Sequence, residues 1–278
     1  MKTKQILVLG SNGKTGSRVV QKLEALGQSV RRGSRIAVPK FDWEDSSNWA
    51  AVLQDIQSVY ITFQPDLAVQ GADDAIRLLA KLAKEAGVEK VVLLSGRGEK
   101  EAQDCEKIIM ESGLKWTIVR ASWFNQNFSE SYLLEPILNG HMALPTGDIQ
   151  EPFIDAEDIA DVVVAALTQE GHDNTLYEVT GPRLLSFKEA VSEIATAIGK
   201  PIVYEQLSVQ EYAAQLKEYH VPQDYIGLLS YLFSEILDGR NASISHGVEE
   251  ALGRKPKDFS EYVRETLASG VWTPQEGR

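Results

Sequence analysis

The sequence predicts an α/β protein, a doubly wound parallel sheet followed by a smaller, mostly helical C-terminal lobe. Three observations carry that prediction. Apolar runs of strand length alternate with amphipathic helical patterns up to residue 120, and such alternation builds a parallel sheet covered on both faces. The first run leads straight into glycines spaced G-x-x-G-x-x-G at Gly10, Gly13 and Gly16. Past 120 the rhythm breaks, and from 181 onward the pattern is mostly helical.

Strand-like runs lie at 5–10, 29–35, 58–63, 90–95 and 115–120, with a short one near 38–42. Helical patterns fill the intervals at 14–26, 46–55, 67–86 and 99–112, and Gly87 and Gly113 stand where two of them should stop. The stretch 121–150 is rich in Asn, aromatic residues and Pro, and holds no clear βα unit. A helix opens near Asp155, Thr175 begins a further strand, and Ser186 with Glu189 has the form of a capping box. Helices are expected at 208–220 and 223–237, with Pro201, Pro222 and Pro256 as punctuation. The division is therefore a sheet domain at 1–120 and a lobe at 121–278. The lobe is built from 121–150 and 181–270, while 151–180 returns to the sheet domain. The last few residues, up to Gly277 and Arg278, are expected to fray.

Strand, glycine turn and helix, in that order, are what a dinucleotide site needs. The first glycine permits the tight turn, the second lets backbone approach a pyrophosphate, and the third lets helix pack on strand. The helix then aims its free N–H groups at the phosphates. This assigns Gly10, Ser11, Asn12, Gly13, Lys14, Thr15 and Gly16 to the pyrophosphate turn, the alternative being a purely structural turn. A site for NAD carries an acid about twenty residues on, against the ribose 2′-hydroxyl. Here the second strand ends in Arg31, Arg32, Gly33, Ser34 and Arg35, and no acid follows until Asp42, which with Arg32, Ser34 and Arg35 is a cofactor-binding candidate. Guanidinium groups and a hydroxyl suit a 2′-phosphate. NADP is thus expected, with NADPH preferred over NADH, and the alternative is a merely basic, solvated strand end. Phe63, Gln64 and Ser95 stand at carboxyl ends of strands, where such sheets bind ligands, and should border the ribose and nicotinamide.

With 278 residues, 43% of them hydrophobic, the chain is long enough for one elaborated α/β domain or a dinucleotide domain with a smaller lobe. Its formal net charge of −12 argues against non-specific nucleic-acid and anionic-membrane partners, and makes the local arginine cluster stand out. Cys105 is the only cysteine, so no intrachain disulfide forms, and its thiol is expected to pack between helix and sheet. Met1 to Lys4 run directly into a buried-strand pattern too short for a signal-peptide apolar region followed by a cleavage site, so none is expected. No apolar run approaches membrane-spanning length. A soluble, cytoplasmic protein is expected. His141, His172, His220 and His246 lack metal-ligand spacing, so no metal site is expected. The pairs Asp155/Asp158 and Asp73/Asp74 read as helix-start and solvated-face charges.

Several stretches together resemble the NmrA-like family of atypical short-chain dehydrogenases/reductases. They are the glycine turn, Ser34-Arg35, Leu94-Ser95-Gly96, the run from Ser112 to Arg120 with Phe124 and Asn127, Phe153 to Ala160, and Ala251 to Phe259. The likeness covers nearly the whole chain. The glycine turn is most similar to a subgroup that includes festuclavine and agroclavine dehydrogenases, NADPH-dependent iminium reductases. Membership implies a Rossmann-fold cofactor domain, a C-terminal substrate lobe, a cleft between them, a small-molecule substrate, and a monomer or homodimer. It does not fix the acceptor, since the family also holds quinone reductases, azoreductases and redox sensors.

Ordinary members of the wider group carry a Tyr-x-x-x-Lys pair whose phenol protonates the substrate. None of the nine tyrosines here is followed four residues later by Lys. Ser95 keeps its place without a Tyr partner, and the helix that should carry one reads Glu101, Ala102, Gln103, Asp104, Cys105, Glu106. Three alternatives follow. The acceptor (an iminium, quinone or azo group) needs no strong acid, and placement against the nicotinamide suffices. Glu106 or another group replaces the Tyr. Or catalysis is lost, and the protein senses NADP(H). Trp123, Phe124 and Asn127 are the candidate substrate residues, aromatic walls and an amide, unless they only anchor the lobe or pin a loop. The aromatic residues Tyr212, Tyr219, Tyr225, Tyr231 and Phe233 read mainly as lobe core.

Overall fold

The computed structural model describes residues 5–273, so the expectations for Met1 to Lys4 and for the fraying C-terminus lie outside the described residues. In chain order the first half runs β1 (Gln5–Leu9), α1 (Lys14–Ala25), β2 (Val30–Gly33), α2 (Trp49–Leu53), β3 (Ile56–Ile61), α3 (Ala72–Glu85), β4 (Lys90–Gly96), α4 (Lys100–Met110) and β5 (Lys115–Ala121). Next come α5 (Leu134–Asn139), β6 (His141–Leu144), β7 (Gln150–Glu151), α6 (Ala156–Thr168), β8 (Thr175–Val179) and β9 (Leu185–Ser186). The chain ends with α7 (Phe187–Ile198), β10 (Val203–Gln206), α8 (Val209–Glu218), α9 (Gln223–Tyr231), α10 (Gly247–Leu252) and α11 (Phe259–Ala268).

Two compact units form. The first takes residues up to Ala121, then Ala156–Val179 and His246–Lys255. Its six-stranded sheet has the order β2-β1-β3-β4-β5-β8, parallel throughout. Chain direction across the sheet reverses at β1, which puts the switch point of a Rossmann-type sheet between β1 and β3. The strands are buried nearly end to end because helices cover both faces: Leu7, Val8, Leu9, Val59, Val91, Val92 and Ile118 are fully enclosed. Helix α1 turns Thr15, Gly16, Val19, Val20 and Leu23 inward, one stripe at helical spacing. Each fully buried Val or Leu here contributes roughly 1.5–3 kcal/mol.

The second unit takes Ser122–Asp155, Thr180–Ser245 and Pro256 onward. It carries two small two-stranded sheets, β6 with β10 and β7 with β9. Its core is aromatic: Phe128, Phe153, Phe187 and Phe259 meet in edge and tilted pairs with centroids 4.9–6.0 Å apart. The capping box at Ser186 and Glu189 opens α7, and a second one, Ser208 with Glu211, opens α8.

The structure departs from expectation at five places. Residues 38–42 form no strand, because the Ser34 carbonyl accepts N–H bonds from both Ala37 and Phe41 and curls the segment. The helix expected from 67 starts at Ala72, since the Asp66 side chain caps the Ala68 N–H and Gly71 takes a left-handed conformation. The helix expected over 46–55 splits into a single tight turn at Ser46–Asn48 and the short α2. Over 223–237, α9 gives way at Leu232 to one wider π-type turn. Finally 246–255 packs with the sheet unit rather than the lobe, where Arg254 bonds Asp158 and Asp161 of α6.

Candidate active site

The glycine turn is built as a cradle. Gly10 adopts φ +66°, and a Cβ there would strike the Thr62 hydroxyl. A Cβ on Gly16 would collide with the Gly10 carbonyl, so the third glycine is demanded by helix–strand approach. Gly13 differs. Its Cβ would meet the Gly10 carbonyl oxygen at 3.2 Å and Gln64 Nε2 at 3.8 Å, a tight contact but no collision. Packing alone therefore does not demand a glycine at position 13, whereas backbone approach by a ligand does. Gly13 also N-caps α1 with no side-chain bond, and no acid occupies that helix's first turn, so no side chain of that turn offsets its positive end. This geometry fits a pyrophosphate.

The predicted turn residues divide by side chain. Ser11 and Thr15 are buried and bonded inward, Ser11 Oγ donating to the Gly33 carbonyl and the Tyr60 hydroxyl to Thr15 Oγ1. Asn12 is exposed, with Gly13 and Lys14 half-exposed. After β2, Ser34 is half-buried, and Arg35 is exposed with no hydrogen bond among the described residues. Arg32 pairs with Glu24 at 2.9 Å. Arg31, weighed with them as a phosphate partner, is instead spent inside the unit on the carbonyls of Val52 and Gln54 and on Gln5. Asp42 is held by Lys40, which with the Glu44 N–H keeps its carboxyl below the usual range.

At the carboxyl end of β3, Phe63 lies against Trp43 at 4.5 Å, and Gln64 is exposed beside Gly13. At the end of β4 the structure brings Ser95 and Glu106 together. The Ser95 hydroxyl donates to Glu106 Oε1 at 2.6 Å, and Arg120 of β5 grips the same carboxylate through Nε at 2.9 Å and Nη2 at 2.5 Å. Arg120 also reaches Glu178 of β8, to which Arg97 donates at 2.8 Å. Hydroxyl, acid and guanidinium groups thus alternate across three adjacent strand ends. Cys105 is buried, and desolvation, with help from Asp73 and Asp104, pushes its thiol up to about 12, so it is no nucleophile.

Sequence reasoning passed over Asp66 and Glu99. Asp66 follows Phe63 and Gln64 after β3, while Glu99 follows Ser95 and Gly96 after β4 and is 7% exposed. The Glu99 carboxyl lies folded against the Gly96 backbone in the space a Cβ would fill. Burial, then the neighbouring Asp66 charge, holds Glu99 well above the ordinary carboxylate range, and burial raises Asp66 as well. The signal available in the sequence was position, since both residues lie in the loops that follow strand ends, Asp66 five residues past β3 and Glu99 three past β4.

In the second unit, Trp123 is half-buried between Phe187 and Phe233, with centroids at 5.3 and 5.2 Å. Phe124 bridges Ile154 and is half-buried; the Asn127 N–H bonds the Phe124 carbonyl. Tyr212 packs edge-on against Phe233. Among the described residues no group of His, Cys, Asp or Glu is arranged to hold a metal ion, and no helix is long and apolar enough to cross a membrane.

A glycine turn of this kind on a six-stranded parallel sheet belongs to a wide class of dinucleotide folds, and comparison with known proteins narrows it. The model of the NmrA-like family matches residues 2–263, so the chain belongs to the NmrA-like family. It is 25% identical to prestalk A differentiation protein A of Dictyostelium discoideum, over 95% of this chain and 93% of that protein. It is 29% identical to festuclavine synthase II of Penicillium roqueforti, over 92% and 96%. The fold is shared with an NADPH-dependent quinone oxidoreductase of Escherichia coli in complex with NADPH. That likeness has TM-score 0.76 at 21% identity, over 95% of this chain and all of that one.

Proposed function

We propose that this protein is an NADPH-dependent oxidoreductase that reduces a small cyclic or aromatic acceptor. The observation that carries the proposal is the Gly13 cradle at the N-terminal end of α1, whose first turn holds no acid. Asn12, Gly13 and Lys14 would hold the pyrophosphate, Ser34 and Arg35 the 2′-phosphate, and Phe63 and Gln64 the nearer ribose. When bound, the reduced nicotinamide supplies a hydride. The residues of the chain bind and orient the reactants, and no tyrosine takes the place of the usual acid. The quinone oxidoreductase and the festuclavine enzyme support a reductase by kinship. The missing Tyr–Lys pair favours a second reading, an NADP(H)-responsive protein without turnover.

Titration with NADPH and NADH, followed by NADPH oxidation with menadione, methyl red and a cyclic iminium salt, tests the proposal. NADPH should bind at least about tenfold more tightly than NADH, the worth of one charge-assisted contact, and at least one acceptor should turn over. Tight binding with no turnover on any acceptor supports the second reading, and no binding overturns both.

A further inference from the structure

Gly10, Gly13 and Gly16 leave the turn between β1 and α1 loose in itself, because glycine backbone has the most freedom to lose. A ligand that needs the turn in one shape bears that ordering cost unless the fold has ordered it beforehand. Inside the turn the Gly13 N–H bonds the Gly10 carbonyl at 2.8 Å. From β2, the Gly33 carbonyl accepts from the Ser11 N–H at 3.3 Å and from Ser11 Oγ at 3.4 Å, both long bonds.

The firmer restraint comes from β3. Tyr60 and Thr62, the latter just past the strand's end, stand two positions apart and so project from one face. The Tyr60 hydroxyl donates to Thr15 Oγ1 in the first turn of α1 at 3.0 Å. The Thr62 hydroxyl donates to the carbonyl of Leu9, the last residue of β1, at 3.1 Å. One bond therefore grips the chain before Gly10 and the other after Gly13. Thr62 also shapes what lies between, since its Oγ1 fills the place a Cβ on Gly10 would take. It is fixed in turn by Trp43, whose indole N–H donates to the Thr62 carbonyl at 3.1 Å. Tyr60 is fully buried, and Thr15 and Thr62 nearly so. Phenylalanine would fill the place of Tyr60 with no polar group to satisfy, so a hydroxyl kept there has to answer to its partner.

We propose that Tyr60 and Thr62 are positioning residues for the cofactor pyrophosphate, holding Thr15 and Leu9 so that the glycine turn has its binding shape before the cofactor arrives. This rests on the NADPH reading above and deepens it. Affinity for the pyrophosphate depends on β3, while the choice between NADPH and NADH stays with the end of β2. Both cofactors carry the same pyrophosphate, so loss of either hydroxyl weakens both by one factor.

The test titrates NADPH and NADH by fluorescence against the parent, Tyr60→Phe and Thr62→Val, each of which loses a hydroxyl with little change of volume. Thermal unfolding without cofactor shows which variants are folded. Thr62→Val, at a site 9% exposed, carries the comparison if Tyr60→Phe is not folded. Each variant should bind both cofactors about fivefold more weakly, the scale of one lost hydrogen bond, with the NADPH/NADH ratio within about twofold of the parent's. Thr15→Val removes the other half of the Tyr60 bond and should give the same loss. The Tyr60→Phe/Thr15→Val double variant should lose no more than either alone, because one bond is broken in all three. Folded variants that bind both cofactors as the parent does overturn the proposal and leave the reductase reading intact. So do additive losses in the double variant, or a loss confined to NADPH. A parent that binds neither cofactor overturns the reductase reading and this proposal with it.

Discussion

Replacing Arg35 by Ala should cut NADPH affinity about tenfold while leaving NADH affinity within about twofold. A charge-assisted hydrogen bond is worth about 1.5–3 kcal/mol, and the lower end applies because Arg35 is exposed and solvent screens it. Arg35 makes no hydrogen bond among the described residues, so nothing has to break before a phosphate is engaged. Arg32 must first give up Glu24, which limits its own contribution to roughly 0.7 kcal/mol, or about threefold. Arg32 and Arg35 replaced together should then lose about thirtyfold, provided the two act independently. Arg31 is the internal control. Its guanidinium is spent on Val52, Gln54 and Gln5, so Arg31→Ala should lower stability by about 1–3 kcal/mol and leave the cofactor ratio alone. Both cofactors are titrated by fluorescence at low and high salt, since an exposed guanidinium–phosphate contact must weaken as salt rises. An NADPH/NADH ratio in the Arg32/Arg35 double variant equal to the parent's would refute the assignment of the 2′-phosphate to this strand end.

Gly13→Val should abolish NADPH binding and preserve the fold, because the added side chain stands where backbone would approach the pyrophosphate while its Cβ makes a tight contact but no collision; circular dichroism with a binding titration checks both, and normal binding would show the turn to be misassigned. In the second unit, burial raises the Asp258 carboxyl, but bonds from Arg183 and Ser260 outweigh it and hold it at about 2. The same group titrates near 4 when unfolded, so the ionised pair stabilises above about pH 4 and that contribution fades as pH falls toward 2. With both partners 35% exposed the contribution is about 1 kcal/mol after solvent screening. Arg183→Met should therefore shift the acid unfolding midpoint upward, and an unmoved midpoint would count against the pair.

What could be read from the sequence was whatever local chemistry decides. The β1–turn–α1 unit needs only an apolar run, three glycines and a helical stripe, all contiguous. The box at Ser186 spans four residues and was equally plain. Ser95 and Glu106 could be named as candidates because strand end and helix are adjacent in sequence, but their tie to Arg120 depends on β4 lying beside β5. The Asp66–Glu99 pair was hidden for the same reason. Neither residue is unusual alone, and only the pairing of β3 with β4 brings their loops together. The segment 38–42 misled because Val38 and Phe41 offer a short apolar stretch, while backbone bonds to Ser34 decide otherwise. Nothing near 246–255 signals a return to the sheet unit, since its anchor, Arg254 on Asp158 and Asp161, spans more than ninety residues.

The sheet unit is assembled from three separated lengths of chain, and its last strand to be made, β8, is also an edge of the sheet. When Ala121 leaves the ribosome, β5 presents an unpaired row of backbone groups beside Ile118 and Val119, which end fully buried. At about 5–20 residues per second, translation takes roughly 3–12 s to go on from there to Val179. For those seconds the nascent sheet carries a sticky border of the kind that recruits other chains. The second unit's first segment, 122–155, is synthesised during that same interval. A shortened gene ending at Ala121 would make that temporary border permanent, so the dinucleotide half cannot be harvested as a tidy N-terminal fragment. Joining β5 to α6 by a brief linker, with 246–255 supplied after β8, is the cut that respects how the molecule is made.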